Sequence, residues 1–152
     1  LKNIFRISES KIEFMINPHN LSLFKKRNKL DACKELEIKS DKTYFLYVGR
    51  LTINKGIEDL LYIFNELKLV YPKSCLILIG DGPLKKEIMS FIDKNNLRER
   101  IFLKGRLTHD KICYYYNISS ILFHNSSLPI CVFGFKKILT IFWLLFLDIH
   151  FQ

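Results

Sequence analysis

Two glycines bracket two cations in the stretch YFLYVGRLTINKGIEDLL, which begins at Tyr44. Gly49 and Arg50 close an apolar run, while Lys55 and Gly56 open an amphipathic one. A loop that leaves a strand for a helix presents unpaired amide N–H groups and the positive end of the helix dipole, so it favours an anion. Arg50 can add a bidentate fork to a phosphate, and Lys55 a point charge. The chemistry that fits is the binding of a diphosphate. The spacing is not that of a Walker A loop, which needs Gly-Lys-Ser/Thr, because Lys55 precedes Gly56 and Ile57 follows it. Nor is GDGPLK at Gly80 a dinucleotide fingerprint, since Lys85 stands where the third glycine belongs.

The elements that would position these residues follow from periodicity. Short β-rich apolar runs occur at residues 44–48, 75–79, 101–103 and 121–123, with an earlier candidate at 12–16. After Gly56, the residues Ile57, Leu60, Leu61, Phe64 and Leu67 recur at offsets of three and four, which places them on one helical face. Leu84, Ile88, Phe91 and Ile92 do the same after Pro83, which suits a first helical turn. A shorter helix is expected after Thr108 as N-cap, with Ile112, Tyr115 and Tyr116 as its apolar side. Alternating strands and helices predict an α/β fold with a parallel sheet and right-handed crossovers. Ligands of such sheets bind outside the carboxyl ends of the strands. Five of the six glycines (Gly49, Gly56, Gly80, Gly82 and Gly105) lie on that edge.

Composition narrows the classes. The chain has 152 residues, 49% hydrophobic and 26% charged, enough for one ordinary domain with a real core and too apolar for a disordered chain. The net charge of +9 suits a phosphorylated ligand, nucleic acid or a membrane surface, and equally a scatter of lysines over solvated helix faces. Cysteines at 33, 75, 113 and 131 form no C-x-x-C pair and no zinc-ligand spacing, so reduced thiols in a cytoplasmic setting are expected. The apolar run 138–147 is about half the length needed to span a bilayer, and it reads as a buried or aberrant tail. His109 and Asp110 read as solvated polar groups at a helix start, and His124 as a loop histidine near the ligand edge.

Three segments taken in order, YVGRLTINKGIEDLL, CLILIGDGPLKKEI and IFLKGRLTHDKICYYYNISSILF, strongly resemble the nucleotide-sugar-binding half of the family 4 glycosyltransferases, also called glycosyl transferases group 1. The similarity extends upstream to SKIEFMINPHNLSLF and covers roughly residues 7–127. It implies a Rossmann-like parallel sheet forming the C-terminal half of a GT-B fold. That fold pairs two such domains across a cleft, so an N-terminal acceptor domain is the implied missing partner. By matching positions, Gly49, Arg50, Lys55 and Gly56 would hold the diphosphate of a nucleoside-diphosphate sugar. Gly80, Asp81, Gly82, Gly105, Arg106 and Leu107 would shape the nucleotide pocket. The implied reaction transfers the sugar with retention of anomeric configuration, needing no metal and no cofactor besides the donor itself. Nucleic acid is not an implied partner, whereas peripheral membrane association is compatible with the full-length family.

The departures are as specific as the match. Where the family continues with a Pro-Ser pair, a glutamate, a glycine-rich turn and a second glutamate, this chain reads HNSSLPICVFGFKKILTIFWLL, with Asn125-Ser126 at the Pro-Ser place. Gly134 is the one glycine in that stretch and is assigned no role, and no glutamate follows Glu99. No catalytic residue is therefore assigned. The reading divides the chain into a nucleotide-sugar-binding part at 1–127, incomplete, and an apolar tail at 128–152 that is either frameshifted or diverged. Three functions stay open: a glycosyltransferase donor-binding domain inactive alone, a non-catalytic nucleotide-sugar-binding pseudoenzyme, and a basic nucleic-acid-binding α/β module. Convergence of Arg50 and Lys55 on one anion site marks the first. A continuous basic stripe away from the strand ends marks the last.

Overall fold

The computed structural model describes residues 22–124 and 131–133. The candidate strand at 12–16, the apolar run 138–147, Asn125-Ser126 and Gly134 lie outside the described residues. In chain order the elements are α1 (Lys29–Glu35), β1 (Thr43–Val48), a single 3-10 turn (Ile53–Lys55), α2 (Ile57–Val70), β2 (Ser74–Ile79), α3 (Lys85–Lys94), β3 (Ile101–Gly105), α4 (His109–Ile118), β4 (Ser119–His124) and β5 (Cys131–Phe133).

The sheet has the order β3-β2-β1-β4-β5. β1 pairs parallel with β2 on one side, Tyr44 opposite Cys75, and parallel with β4 on the other, Phe45 opposite Ile121. β2 pairs parallel with β3. β5 is antiparallel to β4, His124 opposite Cys131. The four parallel strands are the four runs expected from the sequence, each a little longer than its apolar stretch.

Near-continuous apolar runs in β1 and β2 follow from burial on both faces. Alternate residues serve two cores. Phe45, Tyr47, Leu76 and Leu78 pack with Ile57, Leu60, Leu61, Phe64 and Leu67 of α2 and Ile88 and Ile92 of α3. Tyr44, Leu46, Cys75, Ile77 and Ile79 face Ala32 and Cys33 of α1 and Ile112, Tyr115 and Ile118 of α4. Phe45 anchors the first core by edge-on contacts at 6.0 Å with both Phe64 and Phe123. Each such pair adds about 0.5–1.5 kcal/mol beyond area burial.

Local departures from the sequence reading have physical causes. α1 has no strong period and was not expected; Asn28 caps it by accepting the Leu30 N–H at 2.8 Å. Pro83 precedes α3 instead of opening it. The Lys85 N–H reaches the Gly82 carbonyl at 3.3 Å, so Pro83 takes the second position of a turn that suits its fixed φ. Thr108 is the N-cap of α4, but its hydroxyl makes no capping bond. Tyr116 does not join the apolar side of α4: the buried stripe runs Ile112, Cys113, Tyr115 and Ile118, and Tyr116 is 36% exposed against Phe24.

Candidate functional site: three loops at the carboxyl edge of the sheet

Every site residue expected from the sequence lies at the carboxyl end of β1, β2 or β3 or on one of the three loops that leave these ends, Gly105 being the last residue of β3. Backbone bonds lace the three together. The Gly49 N–H donates to the Ile79 carbonyl at 2.9 Å, the Leu51 N–H to the Asp81 carbonyl at 3.0 Å, and the Leu84 N–H back to the Leu51 carbonyl at 3.2 Å. The Gly80 N–H donates to the Gly105 carbonyl at 2.8 Å. Loops tied in this way hold a fixed edge, although each contains little regular structure.

The glycines of GDGP are explained by this lacing before any ligand is considered. A Cβ on Gly80 would stand 1.8 Å from the Gly49 carbonyl oxygen, and one on Gly82 would stand 2.2 Å from that of Leu51. Both obstructions are backbone, which no rotamer change relieves. The close approach foreseen for this edge is thus made, in the first instance, by one loop to its neighbour.

Arg50 is exposed at the start of the β1 loop, and Lys55 is half-buried at the end of the 3-10 turn. Gly56 turns the chain with φ +60, a left-handed conformation that closes the 3-10 turn and starts α2. It supplies no side-chain cap, so the first-turn amides of α2 have none competing for them. Glu58 and Asp59 stand in that same turn, as acidic residues at a helix N-terminus commonly do.

Asp81 is the one carboxylate among the expected site residues. Its Oδ1 accepts the Gly82 N–H at 3.0 Å, and its Oδ2 lies 3.8 Å from Arg106 Nε. The Arg106 side chain is largely exposed and that of Asp81 nearly half so, and the pair is long, so it offsets charge more than it adds stability. Leu107 is half-buried and packs against the core on the α1 and α4 side. His109 and Asp110 are exposed at the start of α4, as expected.

Sequence reasoning missed the buried partner of this edge, Tyr47. Its side chain belongs to the core under α2 and is 3% exposed, yet its hydroxyl donates to the Arg50 carbonyl at 2.9 Å. Burial raises its phenol above the ordinary range, which keeps it a donor at any ordinary pH. The available signal was one hydroxyl-bearing aromatic two residues before Gly49 in an otherwise apolar strand end.

The family model for glycosyl transferases group 1 matches residues 28–135, a span that contains every described element from α1 to β5. The chain is 31% identical over 122 residues to the alpha-monoglucosyldiacylglycerol synthase of Acholeplasma laidlawii, covering 76% of this chain and 31% of that protein. Its fold matches the C-terminal domain of the glycosyl transferase group 1 family protein LpcC from Francisella tularensis with a TM-score of 0.60 at 20% identity, over 69% of this chain and 57% of that one. It matches Anabaena HepE, solved in complex with UDP-glucose, with a TM-score of 0.60 at 20% identity, over 74% of this chain and 31% of that one. The architecture is that of the C-terminal half of a GT-B fold. Against the first curated relatives it matches, the chain spans only between 16% and 31% of their length.

Proposed function

The chain belongs to the glycosyl transferases group 1, and from that membership we propose that it is a donor-binding domain that takes a nucleoside-diphosphate sugar at the laced edge. The observation that carries the reading is the convergence of three strand-end loops, with Arg50, Lys55 and an α2 N-terminus free of any side-chain cap on the first of them. Cations and oriented amides at one edge stabilise a diphosphate in the ground state. They stabilise it more as charge accumulates on departure, which is how such a site would assist transfer.

In this reading Gly49, Arg50, Lys55 and Gly56 receive the diphosphate, and Gly80, Asp81, Gly82, Gly105, Arg106 and Leu107 border the nucleotide. Transfer in the complete enzyme proceeds with retention. UDP is the natural probe, because HepE of the same fold holds UDP-glucose.

The sequence also supports a second, narrower reading: with no glutamate after Glu99, the chain binds donor and does not itself transfer sugar. Carboxylates that would hold the donor's sugar and ribose hydroxyls are missing, so the sugar is not oriented for reaction. Calorimetry of the full chain with UDP tests the shared core of both readings. Arg50→Ala and Lys55→Ala should each weaken UDP by about 1–3 kcal/mol, the scale of a charge-assisted contact. Unchanged affinity in both variants removes the site. Incubation with UDP-glucose and an acceptor tests the expectation the two readings share, that the 152-residue chain alone transfers no sugar, and transfer by it overturns that expectation.

A further inference from the structure

Tyr47 and Gly49 together hold one carbonyl. Tyr47 Oη donates to the Arg50 carbonyl at 2.9 Å, and the Thr52 N–H donates to the same oxygen at 3.1 Å. That oxygen therefore accepts two bonds, one from the buried core and one from its own loop. Gly49 clears the path: a Cβ there would stand 2.8 Å from Tyr47 Oη and 3.1 Å from Tyr47 Cζ. A tyrosine ring is rigid, and this one is wedged into the core under α2, so it could not swing aside without losing its bond.

Core packing alone does not call for this hydroxyl. Phe45, two residues earlier on the same face of β1, fills that core with a bare ring. What the hydroxyl does is fix the peptide from which the exposed Arg50 side chain projects. The Leu51 N–H, on the opposite edge of that same peptide, donates to the Asp81 carbonyl at 3.0 Å. The peptide that follows Arg50 is thus held at both its carbonyl and its amide.

We propose that Tyr47 is a positioning residue, whose hydroxyl holds the Arg50 carbonyl so that the guanidinium is presented to a diphosphate from a fixed backbone. This rests on the reading of Arg50 given under Proposed function. An anchored backbone leaves less of the loop to be ordered when the anion arrives, and so less affinity is lost to ordering.

The test is a cycle of four full-length chains, wild type, Tyr47→Phe, Arg50→Ala and the double variant, each titrated with UDP by calorimetry and melted by circular dichroism. Tyr47→Phe should weaken UDP by about three- to tenfold while Arg50 is present, the scale of one hydrogen bond. It should add nothing in the Arg50→Ala background, because Tyr47 acts through that side chain. Gly49→Ala crowds the same hydroxyl from the loop side and serves if Tyr47→Phe fails to fold; because Gly49 itself borders the diphosphate, only the part of its loss that vanishes in the Arg50→Ala background reports on Tyr47, and a loss undiminished there counts against the proposal. A loss of equal size in both backgrounds means a general structural role and overturns the proposal. So does wild-type affinity in Tyr47→Phe. Arg50→Ala binding UDP like wild type overturns the reading of Arg50 on which the proposal rests, whereas a weakened Arg50→Ala beside an unaffected Tyr47→Phe overturns only the role of Tyr47.

Discussion

Replacing Gly82 by alanine isolates the lacing of the loops from the conformational demands of glycine. The Cβ would lie 2.2 Å from the Leu51 carbonyl oxygen, 2.7 Å from its carbon and 2.8 Å from Leu51 N. A carbon rarely approaches a carbonyl oxygen closer than about 3.3 Å, so the loops must part by about 1 Å. That separation stretches the bonds from Leu51 N to the Asp81 carbonyl, now 3.0 Å, and from Leu84 N to the Leu51 carbonyl, now 3.2 Å. Each lost bond costs about 0.5–1.5 kcal/mol, and residual backbone strain adds about 1 kcal/mol or more. Gly82→Ala should therefore destabilise the chain by about 2–4 kcal/mol. Gly105→Ala is the control. Its φ is +67 with nothing within 4 Å of a built Cβ, so it carries only the cost of a left-handed backbone, about 1–2 kcal/mol. Urea denaturation followed by circular dichroism measures both, provided the m-values agree. A cost for Gly82→Ala below that of Gly105→Ala would refute the steric reasoning, because it would mean that the two loops separate freely.

Two further outcomes are expected. Burial raises the thiols of Cys33, Cys75 and Cys113, and pushes the Tyr44 phenol up to about 12 from 10.0. The native chain then keeps protons that the unfolded chain releases, so the stability these groups contribute is complete below the unfolded thiol value of 9.0 and is lost as pH rises through the window to about 12. A urea midpoint that does not fall between about pH 8 and about pH 10.5 contradicts this. Asn117 ties the segment before α1 to α4: its Oδ1 accepts the Arg27 N–H at 2.6 Å, and its Nδ2 donates to the carbonyls of Lys25 at 3.1 Å and Cys113 at 2.8 Å. Asn117→Ala should speed tryptic cleavage at Lys25, Lys26 and Arg27 at a stability cost of about 1 kcal/mol, and an unchanged cleavage rate would show that the segment is held by other contacts.

The parallel sheet was legible because β1 and β2 are buried on both faces, which leaves runs of Tyr, Phe, Leu and Ile with no other use. α2 was legible for a different reason: all five of its expected inward residues, Ile57, Leu60, Leu61, Phe64 and Leu67, are buried, and their period survives because the opposite face is solvated. Short α1 offered only Ala32 and Cys33, too few for a period to show. Tyr116 was misplaced because a row of three tyrosines does not reveal which ones face inward; the position of Phe24 decides it, from far away in sequence. At the candidate site, the three loops and their order were legible from the glycines, and the reason for Gly80 and Gly82 was not. A close approach reads the same in a sequence whether a phosphate or a neighbouring carbonyl is the visitor. Tyr47 escaped notice since its bond runs from the core to a main-chain oxygen, which no side-chain pattern records.

The strand order also dictates a sequence of events as the fold assembles. β1, β2 and β3 are neighbours both along the chain and across the sheet, so each pairing closes only the loop and helix that separate them. β4 must instead return past all of these to the far side of β1, where Tyr44 meets Ser119. Closure entropy grows with the intervening length, so that pairing is the slower one until the first three strands have shortened the effective path. Among the described strands β1 emerges first from a ribosome, yet its second edge waits for β4. During that interval the exposed edge of β1 offers unpaired amides and carbonyls, with Phe45 lacking its Phe123 neighbour. The most central strand of the finished sheet is thus the nascent chain's most vulnerable edge.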